Sequence, residues 1–193
     1  PPGHHAERSR AMGFCYFNNV AIAPMYLQKE HGIDRIMIID WDVHHGNGTQ
    51  HIFEEDSSVF YISFHQDPSS CYPGTGWAQE TGKGKGKGYI LNFPMSPGSS
   101  DEAYLKAMEH VEQTMDHFKP QFVLISSGFD AHLADPLAHI RLTKKGYKAL
   151  TQSVKNIAES YAKGRIVSVL EGGYNMEALK ESLEAHIKVL MGE

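Results

Sequence analysis

Two acids and a histidine follow a short apolar run at alternate positions. Asp40, Asp42 and His44 come after the apolar segment 35–39, and two glycines stand close behind them. In an extended chain, side chains two residues apart point to the same face, so these three can converge on one point. Carboxylate and imidazole groups are typical ligands of a divalent metal ion, and glycines permit the tight turn that must follow. The competing interpretation is a solvated loop with incidental histidines.

Two further strand ends carry groups that would complete a metal site. Asp130 follows one predicted strand, and the segment Glu171–Tyr174 follows another. The carboxyl ends of parallel strands lie along one edge of a sheet, where ligands bind. A catalytic zinc ion needs three protein ligands and one open position, which Asp42, His44 and Asp130 would supply. Because this set is rich in oxygen, Fe²⁺ or another divalent ion is the alternative.

Strands alternate with helices along the chain. The hydrophobic patterns predict strands over residues 35–40, 59–64, 89–93, 121–126 and 165–170, and helices over 19–31, 48–55, 100–118, 143–161 and 175–191. Pro24, inside the first helix, implies a kink or a later start. The alternation indicates βαβ units and a mostly parallel sheet with helices on both faces. We predict one α/β domain over residues 1–193, incomplete at its amino end because Pro-Pro-Gly-His-His begins no helix or strand.

The composition argues against several classes of protein. The 193 residues are 41% hydrophobic and 21% charged, which is ordinary for a globular domain with a substantial core. A net charge of -5 argues against a nucleic-acid surface. No segment reads as a membrane span or a signal peptide, and two cysteines provide no disulfide framework. We therefore expect a cytoplasmic protein without nucleic-acid or membrane partners.

Six motifs resemble those of the zinc-dependent histone deacetylase family and occur in family order. They are Pro2-Gly3-His4-His5-Ala6, Gly13-Phe14-Cys15-Tyr16-Phe17-Asn18-Asn19, Asp40-x-Asp42-x-His44-His45-Gly46-Asn47-Gly48, Tyr72-Pro73-Gly74-Thr75-Gly76, Gly128-Phe129-Asp130-Ala131-His132 and Glu171-Gly172-Gly173-Tyr174-Asn175. Asn47 and the sequence Leu-Glu-Gly-Gly-Tyr resemble class II members and the bacterial histone deacetylase-like amidohydrolases. The resemblance implies an arginase/deacetylase-type three-layer αβα fold, here without the family's usual amino-terminal portion.

The resemblance also implies a role for each residue of the site. The catalytic group would be His4, His5, Asp40, Asn47 and Tyr174, and the metal ligands Asp42, His44 and Asp130. The substrate contacts would be Gly13, whose carbonyl accepts the substrate amide N–H, and Phe14 and Tyr72, which form the walls of a slot. Structural K⁺ is implied at two sites, one formed by Asp40, Asp42, His44, Ser63 and Phe64, the other by Phe53, Asp56, Val59 and Tyr89.

The tandem histidines can be given different roles on physical grounds. A paired carboxylate favours the charged imidazolium, whereas a neutral amide does not. If Asp40 orients His4 and Asn47 orients His5, then His5 is the neutral general base. His4 would be charged, and would act electrostatically or as a proton donor. Tyr174 would donate its phenol O–H to the developing oxyanion.

The function that follows is a metal-dependent amidohydrolase that removes acetyl groups from an acetyl-lysine peptide or an acetylated polyamine. The alternative from another class is a truncated, metal-binding but inactive remnant that acts as a binding module or self-associates through its open sheet edge. A two-metal ureohydrolase is disfavoured because no further bridging acids follow His44.

Three other features are assigned structural roles. The Gly-Lys repeat over residues 82–88 lacks the helix start of a phosphate-binding loop and is predicted to be a mobile surface turn. Cys15 has no base paired with it and is expected to pack. His45 is expected to be a hydrogen-bonded neighbour of the site, and Asp135 to fix the loop after Asp130.

Overall fold

A sheet of five parallel strands lies at the centre of the computed structural model, which describes residues 2–193. The strands are β1 (Ile36–Asp40), β2 (Val59–Gln66), β3 (Ile90–Met95), β4 (Phe122–Ser127) and β5 (Ile166–Leu170). Their order across the sheet is β3-β2-β1-β4-β5, so β1 is central and β3 and β5 are the edges. The predicted parallel α/β architecture is confirmed.

Five α-helices accompany the strands of the described residues. They are α1 (Asn19–His31), α2 (Asn47–Phe53), α3 (Asp101–Phe118), α4 (Lys144–Tyr161) and α5 (Met176–Met191). Helix α1 precedes β1, α5 follows β5, and the other three connect strands. The side chain of Thr143 caps the start of α4, and that of Asn175 caps α5, which satisfies backbone N–H groups in the first turn. Helix α1 begins at Asn19 with Pro24 inside it, so a later start is excluded. None of the helices in residues 2–193 combines the length and apolar character that a membrane crossing requires.

The sheet is covered on both faces, as a three-layer αβα fold requires. Every residue of β1 and β2 is buried. Ile36 and Ile38 belong to a core cluster with residues of α1 and α2, whereas Met37 and Ile39 pack in a second cluster with α3 and α4. Alternate residues of a strand point to opposite faces, so an apolar run such as β1 must have helices on both sides.

The two edge strands differ from the centre of the sheet. β3 includes Pro94, which has no N–H and is therefore tolerated at an edge. On β5, Val167 and Leu170 are half-exposed, and the neighbouring helix α5 exposes Ile187 and Met191. The β5 side of the molecule is thus an apolar face with an open strand edge.

Candidate active site and metal centre

Three potential metal ligands meet at the carboxyl edge of the sheet. Asp42 and His44 follow β1, and Asp130 follows its neighbour β4; one donor atom from each lies within 4.8 Å of the others. His44 Nδ1 is 3.0 Å from Asp42 Oδ1 and 3.2 Å from Asp130 Oδ2. A metal with bonds of about 2.0–2.2 Å to nitrogen and oxygen needs donors at roughly this separation. The donor set therefore fits a divalent cation.

Backbone N–H groups hold both carboxylates in place. Gly172 donates to Asp42 Oδ2 at 2.8 Å, and Val43 donates to Asp130 Oδ1 at 2.8 Å. A Cβ atom on Gly172 would collide with Asp130 Oδ2, so only glycine allows this close approach. Such outer contacts orient ligands and are part of a metal site's design.

The electrostatics of the cluster favour a positive charge at its centre. Burial lowers the pKa of His44, but the hydrogen bonds and negative charges of Asp130 and Asp42 outweigh it and raise the pKa to about 11. Burial and the neighbouring charge of Asp42 raise the pKa of Asp130 to about 7. A cation between these two buried carboxylates, either the His44 imidazolium or a metal ion, would relieve their mutual repulsion.

The tandem histidines lie beside this cluster, each with a different partner. His4 Nδ1 donates to Asp40 Oδ2 at 2.9 Å, and its Nε2 is 3.7 Å from Asp42 Oδ1. His5 Nδ1 lies 2.8 Å from the amide oxygen of Asn47. The two rings are 4.1 Å apart between centroids, and both residues are buried. The structure thus brings together the histidines and the partners predicted for them.

The different partners give the two histidines opposite protonation tendencies. Burial lowers the pKa of His4, but the charges of Asp40 and Asp42 outweigh it and raise that pKa well above its usual value. Burial and the neighbouring charge of His4 lower the pKa of His5 to about 3. At neutral pH the pair therefore consists of one charged and one neutral imidazole.

A cavity of about 400 Å³ opens above these groups. Its floor includes His4, His5, Asp42 and His44. The remaining lining residues form its mouth and walls: Pro2, Gly13, Phe14, Tyr72, Leu137, Gly172 and Tyr174. The structure thus gathers around one opening the residues predicted for substrate contact and for oxyanion stabilisation.

The aromatic side chains of the cavity wall are accessible from outside. Phe14 is 77% exposed, Tyr72 48% and Tyr174 42%. Burial and the charge of Asp130 raise the pKa of Tyr174 above its usual value, so its phenol keeps its proton at neutral pH. The Gly13 carbonyl accepts from the Cys15 thiol at 3.2 Å, and Cys15 itself is buried.

A family model of the histone deacetylase domain matches residues 1–190. The chain belongs to the histone deacetylase family. This confirms the resemblance carried by the six motifs.

Relatives and a solved structure agree with this family assignment. "Histone deacetylase 14, chloroplastic" of Arabidopsis thaliana is 48% identical over 194 residues, covering 100% of this chain and 45% of that protein. The "histone deacetylase-like amidohydrolase" of Pseudomonas aeruginosa is 44% identical over 177 residues, covering 91% of this chain and 46% of that protein. The crystal structure of the HDA15 HD domain matches with a TM-score of 0.93 at 46% identity, covering 100% of this chain and 56% of that one. The chain spans about half the length of these two curated relatives.

In this member of the histone deacetylase family a polar network joins the slot loop, defined as residues 67–88, to helix α2. The Glu80 carboxylate accepts a hydrogen bond from Gln50 Nε2 at 2.6 Å and also accepts from backbone N–H groups within the loop. His45 Nε2 lies 2.9 Å from Gln50 Oε1, so His45 is hydrogen-bonded away from the metal cluster. The network fixes the loop that carries Tyr72.

Three residues contact the site in ways that the sequence did not reveal. Tyr61 donates its phenol O–H to Asp40 Oδ2 at 2.9 Å, but it stands inside an apolar strand, where nothing marks it. Asp135 accepts the backbone N–H of Tyr174 at 2.8 Å, a more specific contact than the loop-fixing role predicted for it. In the sequence Glu171 is only an acid at a strand end, whereas in the structure its carboxylate contacts the loop that carries the tandem histidines.

The residues implied for K⁺ binding lie on and between β1, β2 and β3. Ser63 pairs in register with Asp40 across β1 and β2, and its hydroxyl lies 2.8 Å from His65 Nδ1. Asp56 accepts the backbone N–H of Ser58 at 2.8 Å in the turn after α2. Both K⁺ sites stay predictions.

Proposed function

We propose that this protein is a metal-dependent amidohydrolase that removes acetyl groups from amines, with an acetyl-lysine side chain as its substrate class. One observation carries the proposal: a single cavity joins a potential metal cluster, a charged and a neutral histidine, and a phenol. These are the groups that hydrolysis of an unactivated amide requires. Residues 1–193 would act as part of the catalytic domain.

We propose zinc as the metal. Asp42, His44 and Asp130 would hold it, and three protein ligands leave a position for water or substrate. A bound divalent ion polarises a carbonyl and lowers the pKa of water. Fe²⁺ stays the alternative because two of the three ligands are carboxylates.

The protein's own groups would handle the protons. Since Asn47 Nδ2 donates to Glu7, its amide oxygen faces His5, and His5 Nδ1 carries the hydrogen. His5 Nε2 is then the basic atom and can take a proton from the attacking water. His4, held charged by Asp40, stabilises negative charge and can supply a proton to the leaving amine. Tyr174 donates its phenol O–H to the oxyanion.

The apolar lining of the cavity suits an aliphatic acyl-amine chain. Phe14, Tyr72 and Leu137 offer apolar surface, and Gly13 offers a carbonyl for the substrate N–H. Asp42, on the floor, is the only acid among the described lining residues. The neutral methylene chain of acetyl-lysine suits such a wall, whereas an acetylated polyamine would bring ammonium groups without a counter-charge. We therefore place acetyl-lysine ahead of acetylpolyamines.

Structural K⁺ at the two sites named above and a cytoplasmic location belong to the same proposal. Two plant relatives are named chloroplastic, so location is to be measured separately. We propose a peptide or small-molecule substrate and no nucleic-acid or membrane partner. The net charge of -5 is consistent with this.

A second candidate function has one observation in its favour. The open edge of β5 and the exposed apolar side chains of α5 would suit a self-associating, metal-binding but inactive module. Light scattering measures the association, and turnover of the metal-loaded protein measures the activity. Zinc bound without turnover would favour this module.

Hydrolysis of a fluorogenic acetyl-lysine peptide tests the main proposal. We expect turnover that a chelator abolishes and zinc restores. His5→Ala should lower kcat by ~10²–10⁴-fold with little change in KM, because general-base catalysis acts in the transition state. A variant that changes only KM would contradict the base role.

A further inference from the structure

The Glu171 carboxylate spans the space between the sheet and the loop of the tandem histidines. Glu171 directly follows β5 and is 6% exposed. Its Oε2 accepts the backbone N–H of Gly3 at 2.6 Å and that of His4 at 3.1 Å. Its Oε1 accepts the Ser126 hydroxyl at 2.8 Å. A buried carboxylate with three donors is well satisfied, and each partner would lose a bond if it were removed.

Hydrogen bonds, and not regular secondary structure, hold the loop that carries the histidines. Residues 2–18 contain no helix or strand of the sheet. On the side of the loop away from Glu171, the His4 carbonyl accepts the backbone N–H of Thr49 in α2 at 3.1 Å. His4 is therefore held between α2 and Glu171, one contact to its carbonyl and one to its N–H.

The same strand end also holds a metal ligand. Gly172, next to Glu171, donates its N–H to Asp42, and the Glu171 N–H donates to Ser127 in β4 at 3.1 Å. Two consecutive residues thus contact the histidine loop and the metal cluster. Any shift of the histidine loop relative to the metal cluster must break a buried hydrogen bond.

We propose that Glu171 is a positioning residue for the reaction, which fixes the backbone of His4 and His5 relative to the metal ligands. The inference rests on the proposed deacetylase function. Glu171 does not line the cavity, so it acts through the histidines and not on the substrate. A displacement of about 1 Å at a catalytic group can cost ~10²-fold in rate.

Two substitutions separate hydrogen bonding from charge. Glu171→Ala removes all three acceptor contacts. Glu171→Gln keeps an amide oxygen for Gly3 and His4, while its NH₂ can donate to the Ser126 hydroxyl. We expect Glu171→Ala to lower kcat by ~30–100-fold with KM within threefold, and Glu171→Gln to stay within fivefold of wild type.

A matched control comes from a carboxylate of similar design that does not line the cavity. Asp101 accepts the Thr143 backbone N–H at 2.8 Å and the Thr143 hydroxyl at 2.6 Å, and so holds the residue that caps α4. Asp101→Ala should lower stability while leaving kcat within twofold. Equal losses of kcat in Glu171→Ala and Asp101→Ala would reduce Glu171 to a general stabiliser and overturn the proposal.

Hydrogen exchange gives a readout that does not depend on activity. The amides of residues 3–6 should exchange slowly in wild type, Glu171→Gln and Asp101→Ala, and at least tenfold faster in Glu171→Ala, with zinc content unchanged in all four proteins. Unchanged exchange in Glu171→Ala, loss of zinc from it, or an equal loss of kcat in Glu171→Gln would each overturn the proposal. If wild type failed to hydrolyse the peptide, the deacetylase function would fail, while the exchange data would still decide the anchoring role.

Discussion

His5 Nδ1 lies 2.8 Å from the side-chain oxygen of Asn47, a neutral partner, although the neighbouring His4 has the carboxylate of Asp40. The amide cannot stabilise an imidazolium as a carboxylate does. Burial and the charge on His4 therefore dominate, and they lower the pKa of His5 to about 3. The division of labour between the two histidines depends on this one amide.

Replacing Asn47 by aspartate should change the pH dependence of turnover. A carboxylate beside His5 raises its pKa by about one unit or more, so the base becomes protonated at a higher pH. Because Asn47 also donates to Glu7, the substitution is made together with Glu7→Gln to avoid two facing carboxylates. The acidic limb of the kcat/KM profile should move to higher pH. Glu7→Gln alone is the control, and an unmoved limb in the double variant would contradict the base role of His5.

Tyr174→Phe tests the oxyanion donor. Loss of a preorganised donor typically costs ~10²–10³ in kcat. The ring is retained, so KM and zinc content should stay close to wild type. Tyr16→Phe is a suitable control because Tyr16 is 73% exposed and outside the cavity lining. Wild-type turnover in Tyr174→Phe would exclude the phenol from the reaction.

Metal binding should stabilise the fold, and Asp130 should be required for it. Zinc at one hundred times its Kd raises the free energy of unfolding by about 2.7 kcal/mol. For a domain of this size that raises Tm by roughly 5–10 °C. We expect this rise in wild type and in the surface control Asp34→Asn, and none in Asp130→Ala. The apparent affinity should increase with pH, because the imidazolium of His44 must lose a proton to bind metal. Equal Tm rises in all three proteins would contradict the Asp-His-Asp assignment.

Acid should destabilise the protein partly through His186. This residue is 1% exposed, bonded to Thr151 and Ser168, and burial lowers its pKa to about 4. Between pH 6.5, near the pKa of this histidine in the unfolded chain, and pH 4, its imidazole binds a proton only in the unfolded chain. The free energy of unfolding therefore falls as the pH falls through this window. The loss is about 1.4 kcal/mol per pH unit within this window.

Urea unfolding at pH 7 and pH 5 measures this effect. His186→Gln, which does not titrate, should lose about 2 kcal/mol less than wild type between the two pH values. His117→Gln, at an exposed position, should behave as wild type. Identical losses in His186→Gln and wild type would mean that the buried imidazole is not the acid-sensitive group.

The sequence predicted the regular elements closely because local patterns determine them. Helix α1 has the predicted bounds, and the N-cap residues Thr143 and Asn175 mark the starts of α4 and α5. Strand β3 runs past the predicted end at Phe93 through Pro94, since an edge strand needs no N–H on its open side. Periodicity therefore gives the elements, and only the tertiary fold gives the exact strand ends.

The site was predictable where its residues follow strands, and unpredictable where it depends on long-range contacts. Asp42 and Asp130 stand at strand ends, and the topology brings them together. Glu171 contacts Gly3 at a sequence separation of 168 residues. No local sequence pattern predicts which distant loop a carboxylate will contact. The phenol of Tyr61 is hidden in an apolar strand for the same reason.

The slot loop and the metal ligands are anchored in different parts of the molecule. The ligands follow central strands bonded on both sides, whereas the loop with Tyr72 is tied to α2 through Glu80 and Gln50. Under the proposed function, substitutions in residues 67–88 would act mainly on which acyl chain enters, since the loop supplies Tyr72 but none of the three candidate metal ligands. Under that function, libraries that seek new substrates should be concentrated in this loop.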